Sequence, residues 1–241
     1  MTSRLVALSF DANDPVRLER FWAAALRWDI DESPDEIALV PTDDTRFRIL
    51  SVRCRSRRRA KNRIHLDLTT TTLADQRETV EQLVEFGARH VDIGQGPDDE
   101  HVVLADPEGN ELCVIEPGNN FLADCAVSDR SPATARGPVG CFWSEVLGWP
   151  LVWDQDEETA IRAGRDRPFI TWGPPLVPKS GKNRLHLEIA PTGHAGQRAE
   201  LDRLVALAAT PLDISHGAVD RAMMAEPDDN EFCVPRPRQR A

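Results

Sequence analysis

The sequence lacks the cysteine patterns that mark disulfide-rich and zinc-knuckle proteins. Its five cysteines are an odd number, and no two of them stand in a CxxC spacing. Neither a disulfide framework nor a zinc knuckle is indicated. A reducing compartment is the expected environment.

Long apolar segments and a secretory leader are also missing. Nowhere do eighteen apolar residues follow one another, and the first residues, MTSRLVALSF, contain neither a basic region nor a small-residue cleavage site. Membrane spans and signal peptides require these features. We therefore expect a cytoplasmic protein that does not engage a membrane.

Basic charge is in deficit, with 29 Lys and Arg against 40 Asp and Glu and a formal net charge of -11. A nucleic-acid partner is not expected, because phosphate binding needs a basic face. One stretch departs from this balance, since Arg53 to Arg63 carries seven basic residues. It is interpreted as a solvated loop between strands, with anion binding as the alternative.

An internal repeat is the strongest feature that is present. Asn62-Arg63-Ile64-His65-Leu66 recurs 121 residues later as Asn183-Arg184-Leu185-His186-Leu187. After a one-residue deletion, Asp106-Pro107-Glu108-Gly109-Asn110-Glu111-Leu112-Cys113-Val114 recurs 120 residues later as Glu226-Pro227-Asp228-Asp229-Asn230-Glu231-Phe232-Cys233-Val234. The chain therefore consists of two homologous halves. We predict domains at 1–118 and 121–237, separated by the turn residues PGNN.

Within each half the same order of elements occurs twice. Asp14-Pro15 opens an amphipathic helix predicted over residues 15 to 26, and a second helix is predicted from Leu73 to Phe86 before Gly87. Short alternating segments around these helices predict strands, among them Ile64 to Leu68 and Leu112 to Ile115. Each half thus reads as two modules of strand, helix and three strands.

This order, with FWAAALRW in the first helix and KNRIHLDL and DPEGNELCV on later strands, resembles the vicinal oxygen chelate superfamily of glyoxalases, bleomycin-resistance proteins and extradiol dioxygenases. The resemblance covers nearly the whole chain. It implies an α+β fold of two tandem glyoxalase-like domains, in which paired βαβββ modules form a cup-shaped mixed sheet with helices outside. It does not specify an activity, because this fold carries isomerases, dioxygenases, lyases and drug-sequestering proteins.

The resemblance also implies where a divalent metal would bind. Family members use a His or Gln on the first strand of a paired unit, a Glu on the fourth, a His on the fifth and a Glu on the eighth. On this chain His65 and Glu111, and again His186 and Glu231, match the last two positions. Ala7 stands at the first position, and the fourth-strand segments FRILSV and PFITW contain no carboxylate.

Three interpretations of these residues stay open. His65 with Glu111, and His186 with Glu231, are structural pairs, ligands of one divalent ion (Zn, Ni, Mn or Fe), or ligand-binding pairs in which Glu111 or Glu231 moves a proton as a catalytic carboxylate. Under the first interpretation the protein has no cofactor. Cys113 and Cys233 are interpreted as small hydrophobic residues on their strands.

Two tryptophans of the second half, Trp153 and Trp172, have no counterpart in the first half. Both lie on predicted strands. We predict that they line the ligand-binding cup, because small-molecule pockets are mainly apolar and aromatic.

Three hypotheses on function follow. The first is small-molecule binding in the cup, with sequestration of a drug or a toxic metabolite. The second is a metal-dependent lyase or isomerase of the glyoxalase type that acts on substrates with vicinal oxygens. The third is that one half has become a structural partner of the other. Both a monomer and a homodimer agree with the sequence.

Overall fold

The structure is a computed structural model that describes residues 2–32, 37–54, 62–94, 96, 100–119, 138–155, 158–164, 168–173, 179–192, 196–213 and 221–236. Most of the basic stretch, residues 55–61, lies outside the described residues. So do residues 125 to 128, the segment that the repeat predicts as the first strand of the second half.

The described elements follow the predicted modular order. The first half contains β1 (Ser3–Ala12), α1 (Pro15–Leu26), β2 (Asp29–Glu32), β3 (Ile37–Val40), β4 (Arg48–Arg53), β5 (Leu66–Thr69), α2 (Leu73–Glu85), β6 (Arg89–His90), β7 (Val102–Ala105) and β8 (Glu111–Ile115). The second half contains α3 (Pro138–Leu147), β9 (Leu151–Gln155), β10 (Glu158–Arg162), β11 (Phe169–Trp172), β12 (Leu185–Pro191), α4 (Gln197–Ala206), β13 (Thr210–Leu212), β14 (Arg221–Ala225) and β15 (Glu231–Pro235). The chain is therefore an α+β protein built from two halves that share one order of elements.

Helix α1 begins and ends where the sequence predicts. The side chain of Asp14 accepts a hydrogen bond from the backbone N of Arg17 at 3.2 Å, and Pro15 occupies the first turn. Both features satisfy or remove backbone donors that a helix start leaves unpaired. Phe21 and Trp22 are then buried against the sheet, with 2% and 1% of their surface exposed.

The largest sheet joins modules from opposite halves of the chain. Its strand order is β13-β14-β15-β12-β1-β4-β3-β2, so the first module of the first half is continuous with the last module of the second. At the junction, β1 runs antiparallel to β12 and parallel to β4. The remaining described strands form the sheets β5-β8-β7-β6 and β11-β10-β9. The motifs predict paired modules, and the structure adds which modules are paired in this sheet.

The hydrophobic cores, in contrast, follow the halves. One buried cluster draws almost entirely on the first half and the other on the second. Strand β1 contributes to both, because a register shift between Leu5 and Ala7 places Leu5 in the second cluster and Leu8 and Phe10 in the first. β-Bulges redirect side chains in this way.

Arg184 ties these parts together at one point. Its Nε and Nη2 donate to the carbonyl oxygen of Asp11 at 3.2 and 2.7 Å, while Nη1 and Nη2 donate to the carbonyl and Oε2 of Glu108 at 3.2 and 3.1 Å. Glu108 in turn accepts a hydrogen bond from the backbone N of Asp14 at 2.8 Å. The end of β1, the turn before β8 and the start of β12 therefore share one buried guanidinium.

Glu19 of α1 is buried in the interface between helix and sheet, close to Ser51 of β4, with 1% of its surface exposed. Burial raises the pKa of this carboxyl to about 8, because ionisation without water is unfavourable. The neutral carboxyl of Glu19 therefore stabilises the folded state fully below about pH 4.5, and this stabilisation is lost as the pH rises through 8.

We compare the free energy of unfolding of Glu19→Gln with that of the wild type at pH 4.5 and at pH 8. Between these two pH values the difference should change by about 1 to 3 kcal/mol in favour of the variant. Urea unfolding at both pH values measures this change. Glu81→Gln, on the exposed surface of α2, is the control and should show a difference below about 0.5 kcal/mol. An equal pH dependence in wild type and Glu19→Gln would contradict the assignment.

None of the helices in the described ranges is long and apolar enough to cross a membrane.

Candidate functional site

A cluster of polar side chains lies on the inner face of the eight-stranded sheet, the face opposite α1 and α4. His186 and Glu188 alternate along β12, and Glu188 is the cross-strand neighbour of Cys233 on β15. One nitrogen of His186, one carboxylate oxygen of Glu188 and the Sγ of Cys233 lie within 4.8 Å of one another. All three residues are buried, and they are named here the buried cluster.

Two further side chains hold Glu188 in place. Its Oε1 accepts hydrogen bonds from the hydroxyl of Ser9 on β1 and from Nη1 of Arg221 on β14. The pKa of the Cys233 thiol is raised, mainly because the thiol is buried and to a smaller extent because Glu188 is negatively charged. The carboxylate of Glu188 is therefore neutralised by Arg221, and the thiol of Cys233 is protonated.

The rest of this inner face is apolar where the family resemblance implies two more metal ligands. Ala7 of β1 packs with Ala38 and Leu50 in a small buried cluster, with exposures of 2%, 1% and 4%. None of these side chains can coordinate a metal. The three residues of the buried cluster thus all lie on strands of the second half.

The first half repeats the cluster with one conservative change. His65 and Asp67 alternate at β5, Asp67 is the cross-strand neighbour of Cys113, and one ligand atom from each lies within 4.8 Å of the others. Nε2 of His65 lies 3.2 Å from Oδ1 of Asp67. Hydrogen bonds to Asp67 and then to Cys113 raise the pKa of His65 above its ordinary value.

The two clusters differ mainly in accessibility. The side chains of His65 and Asp67 are 44% and 36% exposed, whereas His186 and Glu188 are 4% and 3% exposed. We call His65, Asp67 and Cys113 the exposed cluster. The imidazole and carboxylate of the exposed cluster are therefore partly accessible to solvent.

Glu111 and Glu231 are predicted to act with the histidines. In the structure each accepts a hydrogen bond from the chain segment just before the histidine of its half. Oε2 of Glu111 accepts a hydrogen bond from the backbone N of Asn62 at 3.3 Å, and Oε2 of Glu231 accepts one from that of Asn183 at 3.2 Å. Glu231 also pairs with Lys179 at 2.6 Å. The carboxylates beside the two histidines are those of Asp67 and Glu188, and a catalytic role of Glu111 and Glu231 stays a prediction.

The two repeated motifs of each half bind each other directly. Nδ2 of Asn62 donates to Oδ1 of Asn110 at 3.0 Å, and Nδ2 of Asn183 donates to Oδ1 of Asn230 at 3.1 Å. Each of these contacts fixes the segment before a histidine-bearing strand against the turn before a cysteine-bearing strand. The repeat between halves is therefore explained in part by the positioning of the clusters.

The two predicted cup tryptophans lie on opposite faces of the sheet β11-β10-β9. Trp172 stacks on Trp143 of α3, with ring centroids 6.5 Å apart and an interplanar angle of 10°, so it packs on the helix side. Trp153 is the cross-strand neighbour of Ala160, the residue after Thr159. Thr159 faces α3 so closely that a Cβ on Gly140 would lie 2.2 Å from its Oγ1. Since successive strand residues alternate in direction, Trp153 faces away from the helix.

Four cluster members, Asp67, Glu188, Cys113 and Cys233, were not among the predicted site residues. The signal that could have found them is the strand period of two. A carboxylate stands two positions after each histidine, and a cysteine stands two positions after each motif glutamate. Side chains with this spacing share one face of a sheet.

A family model described as a glyoxalase-like domain matches the chain twice, over residues 7–115 and 126–235. A search among curated proteins finds no match.

Solved structures resemble the whole chain. Glyoxalase I from Zea mays superposes with a TM-score of 0.62 at 13% identity, covering 98% of this chain and 92% of that one. A Bacillus subtilis protein provisionally named a dioxygenase superposes with a TM-score of 0.55 at 13% identity, covering 96% and 84% of the respective chains. At such identities the likeness concerns the fold.

Proposed function

Because the chain belongs to the glyoxalase-like domain family of the vicinal oxygen chelate superfamily, we propose that it binds a small molecule at the exposed cluster. The observation that carries this proposal is the accessibility of His65 and Asp67, which are 44% and 36% exposed on the inner face of a sheet. A half-exposed imidazole and carboxylate offer a hydrogen-bond donor and acceptor to a polar ligand.

The second wall of this site would come from the sheet that carries Trp153. In the eight-stranded sheet β12 has β1 as a neighbour, whereas its counterpart β5 is the last strand of its described sheet. By this correspondence, the remaining module of the second half would join its sheet at β5. That arrangement would place the aromatic face of Trp153 and the polar exposed cluster in one cup. Apolar walls with a few convergent polar groups are typical of ligand sites.

The buried cluster is the structural counterpart of this site. Glu188 is neutralised by Arg221 and Ser9, and His186 is 4% exposed. These contacts favour a role in holding the eight-stranded sheet together. We therefore propose one ligand site per chain, at the exposed cluster. Its proposed role is to sequester a drug or a toxic metabolite.

We expect His65→Gln to weaken ligand affinity at least tenfold, which corresponds to about 1.4 kcal/mol. The matched variant His186→Gln should leave affinity within about threefold, because its site is closed. A thermal-shift screen of aromatic metabolites and drugs identifies a ligand, and quenching of tryptophan fluorescence then gives affinity and stoichiometry. Equal affinities of wild type and His65→Gln, or a larger loss in His186→Gln, would contradict the assignment to the exposed cluster.

A metal-dependent lyase or isomerase is the second candidate, and the donor sets of the two clusters favour it. Imidazole, carboxylate and thiolate are ligands that Zn²⁺ accepts, and three protein donors leave a coordination position open. His65, Asp67 and Cys113 would hold the ion, and the thiol favours zinc over manganese. When bound, the metal would polarise the adjacent oxygens of a substrate.

Chelation separates the two candidates. Ligand binding that persists after treatment with a chelator supports sequestration without a metal. Loss of binding that added zinc restores would support the metal-dependent candidate. For each arm the metal content of the untagged protein is measured by elemental mass spectrometry, with His65→Ala and His186→Ala beside the wild type.

A further inference from the structure

Lysine is rare in this chain and occurs in only one kind of segment. The sequence has three lysines against 26 arginines, and all three stand within seven residues before His65 or His186. Lys61 and Lys182 hold the same position in the internal repeat. Lys61 lies outside the described residues, whereas the segment 179–182, which leads into β12, is described. In this segment the chain uses ammonium groups where it elsewhere uses guanidinium groups.

Both lysines of this segment bind carboxylates that are themselves buried. Nζ of Lys179 lies 2.6 Å from Oε1 of Glu231, and Nζ of Lys182 donates to Oδ2 of Asp11. The side chains of Glu231 and Asp11 are buried, whereas those of the two lysines are partly exposed. Each ammonium group therefore covers a carboxylate from the solvent side.

The two carboxylates flank His186 on the inner face of the eight-stranded sheet. Strand β12 lies between β15 and β1 in this sheet. On β15, Glu231 shares a face with Cys233, and it stands level with His186 when the parallel register is extended by one residue. On β1, Asp11 shares a face with Ser9, the cross-strand neighbour of His186. The two ammonium groups therefore lie on the inner face, one on each side of β12.

The backbone between and after the two lysines fits this arrangement. Gly181 has a φ of 77°, in the left-handed region that favours glycine, so the chain turns between the two ionic contacts. The backbone N of Asn183 donates to Oε2 of Glu231 at 3.2 Å. Glu231 thus binds the segment through a side chain at one end and through the main chain at the other.

We propose that residues 179–182 form an ionic clasp, which keeps the buried cluster closed and opens locally when its two ion pairs break. The closed clasp accounts for the burial of His186, which is 4% exposed, whereas its counterpart His65 is 44% exposed. Opening would bring a second imidazole, carboxylate and thiol into contact with solvent. The inference goes beyond the ligand site proposed at the exposed cluster and does not depend on it.

The chemistry of lysine suits a contact that opens. An ammonium is a compact, strongly hydrated charge on a flexible stem, so rotation of the side chain can move it from its partner into water. The guanidinium of Arg184, in contrast, donates to several oxygen atoms at once and is fixed by them. When the clasp opens, water reaches Asp11 and Glu231, and their hydration offsets part of the lost ion-pair energy.

Alkylation of Cys233 in the whole chain measures the opening. This residue is 0% exposed, so N-ethylmaleimide reaches its thiol only after the inner face opens. The wild type and the double variant Lys179→Met/Lys182→Met are treated under native conditions, and peptide mass spectrometry gives the rate at each cysteine. We expect the double variant to modify Cys233 about tenfold faster or more. Cys113, in the other half, should keep its rate and is the internal control.

Two further variants separate the effect of charge at the clasp from other effects. Arg198→Met removes a cation from the exposed pair with Asp202 on α4, and it should leave the rate at Cys233 within about twofold of the wild type. Lys179→Arg/Lys182→Arg keeps both positive charges and should stay within about threefold. An arginine double variant as reactive as the methionine double variant would overturn the ionic nature of the clasp.

Equal rates at Cys233 in the wild type and the methionine double variant would overturn the proposal. So would a faster rate that comes with faster labelling of Cys113 or faster amide exchange in β10, because that pattern reports unfolding rather than local opening. If the double variant does not fold, Lys179→Gln and Lys182→Gln decide the question, since each keeps one ion pair. Each should raise the rate at Cys233 about threefold or more, and an unchanged rate in either would overturn the clasp.

Discussion

Residues 1–119 produced alone should not form a stable monomer, although they contain one of the two hydrophobic cores. In the whole chain β1 pairs with β12 along the register from Ser3–Pro191 to Phe10–Leu185. Removing the second half leaves this side of β1 without partners, and an unpaired strand edge recruits another chain. The fragment also loses the contact of Arg184 with Asp11 and Glu108.

Co-expressed fragments 1–119 and 120–241 should purify as a one-to-one complex, whereas fragment 1–119 alone should elute as a dimer or a larger species. Size-exclusion chromatography with light scattering measures both. A monomeric fragment that melts cooperatively near the melting temperature of the whole chain would show instead that 1–118 is an autonomous domain, as the sequence repeat predicts.

Arg184→Met should lower the free energy of unfolding by about 3 kcal/mol. The side chains of Arg184 and Glu108 are 8% and 9% exposed. Removal of the guanidinium takes the cation away from the Glu108 carboxylate and takes the Arg184 donors away from the carbonyl oxygens of Asp11 and Glu108, which is among the costliest kinds of substitution. Urea unfolding of wild type and variant measures the difference.

Arg198→Met is the matched control for this substitution. Arg198 pairs with Asp202 on α4 at 3.3 Å, but its side chain is 89% exposed. An exposed pair of this kind contributes little, so the control should lose less than about 0.5 kcal/mol. Arg184→Lys should lie between the two variants, because an ammonium cannot donate to several oxygens in the geometry of a guanidinium. Equal stabilities of Arg184→Met and Arg198→Met would contradict the bridging role.

Local features of the fold could be predicted from the sequence because local residues determine them. Helix α1 follows from Asp14, Pro15 and its apolar spacing, and its bounds agree with the structure. Strand β5 also agrees with the prediction, apart from shifts of one or two residues at its ends that leave His65 directly before its first residue. The duplication itself was evident because whole motifs recur at nearly constant displacement.

The pairing of modules could not be predicted in this way. Strand β1 meets β12 across about 180 residues, and neither strand carries a pattern that selects its partner. The placement of Trp172 escaped prediction for a related reason. Which face of a strand is buried depends on its register with β10 and on the helix above it. Of the two clusters, the sequence predicted only the histidines, which belong to a repeated motif. Their carboxylate and thiol neighbours could be found only by applying the strand period of two to strands whose pairing was known.

The crossing of β1 to β12 has a consequence for the protein during its synthesis. At about 5 to 20 residues per second, the ribosome needs on the order of 10 to 40 seconds to produce β12 after β1 has emerged. For that interval the nascent chain has an apolar strand whose permanent neighbour does not yet exist. We expect chaperones to bind the N-terminal quarter of the nascent chain during this delay. We also expect the yield of folded protein to be higher at lower growth temperatures.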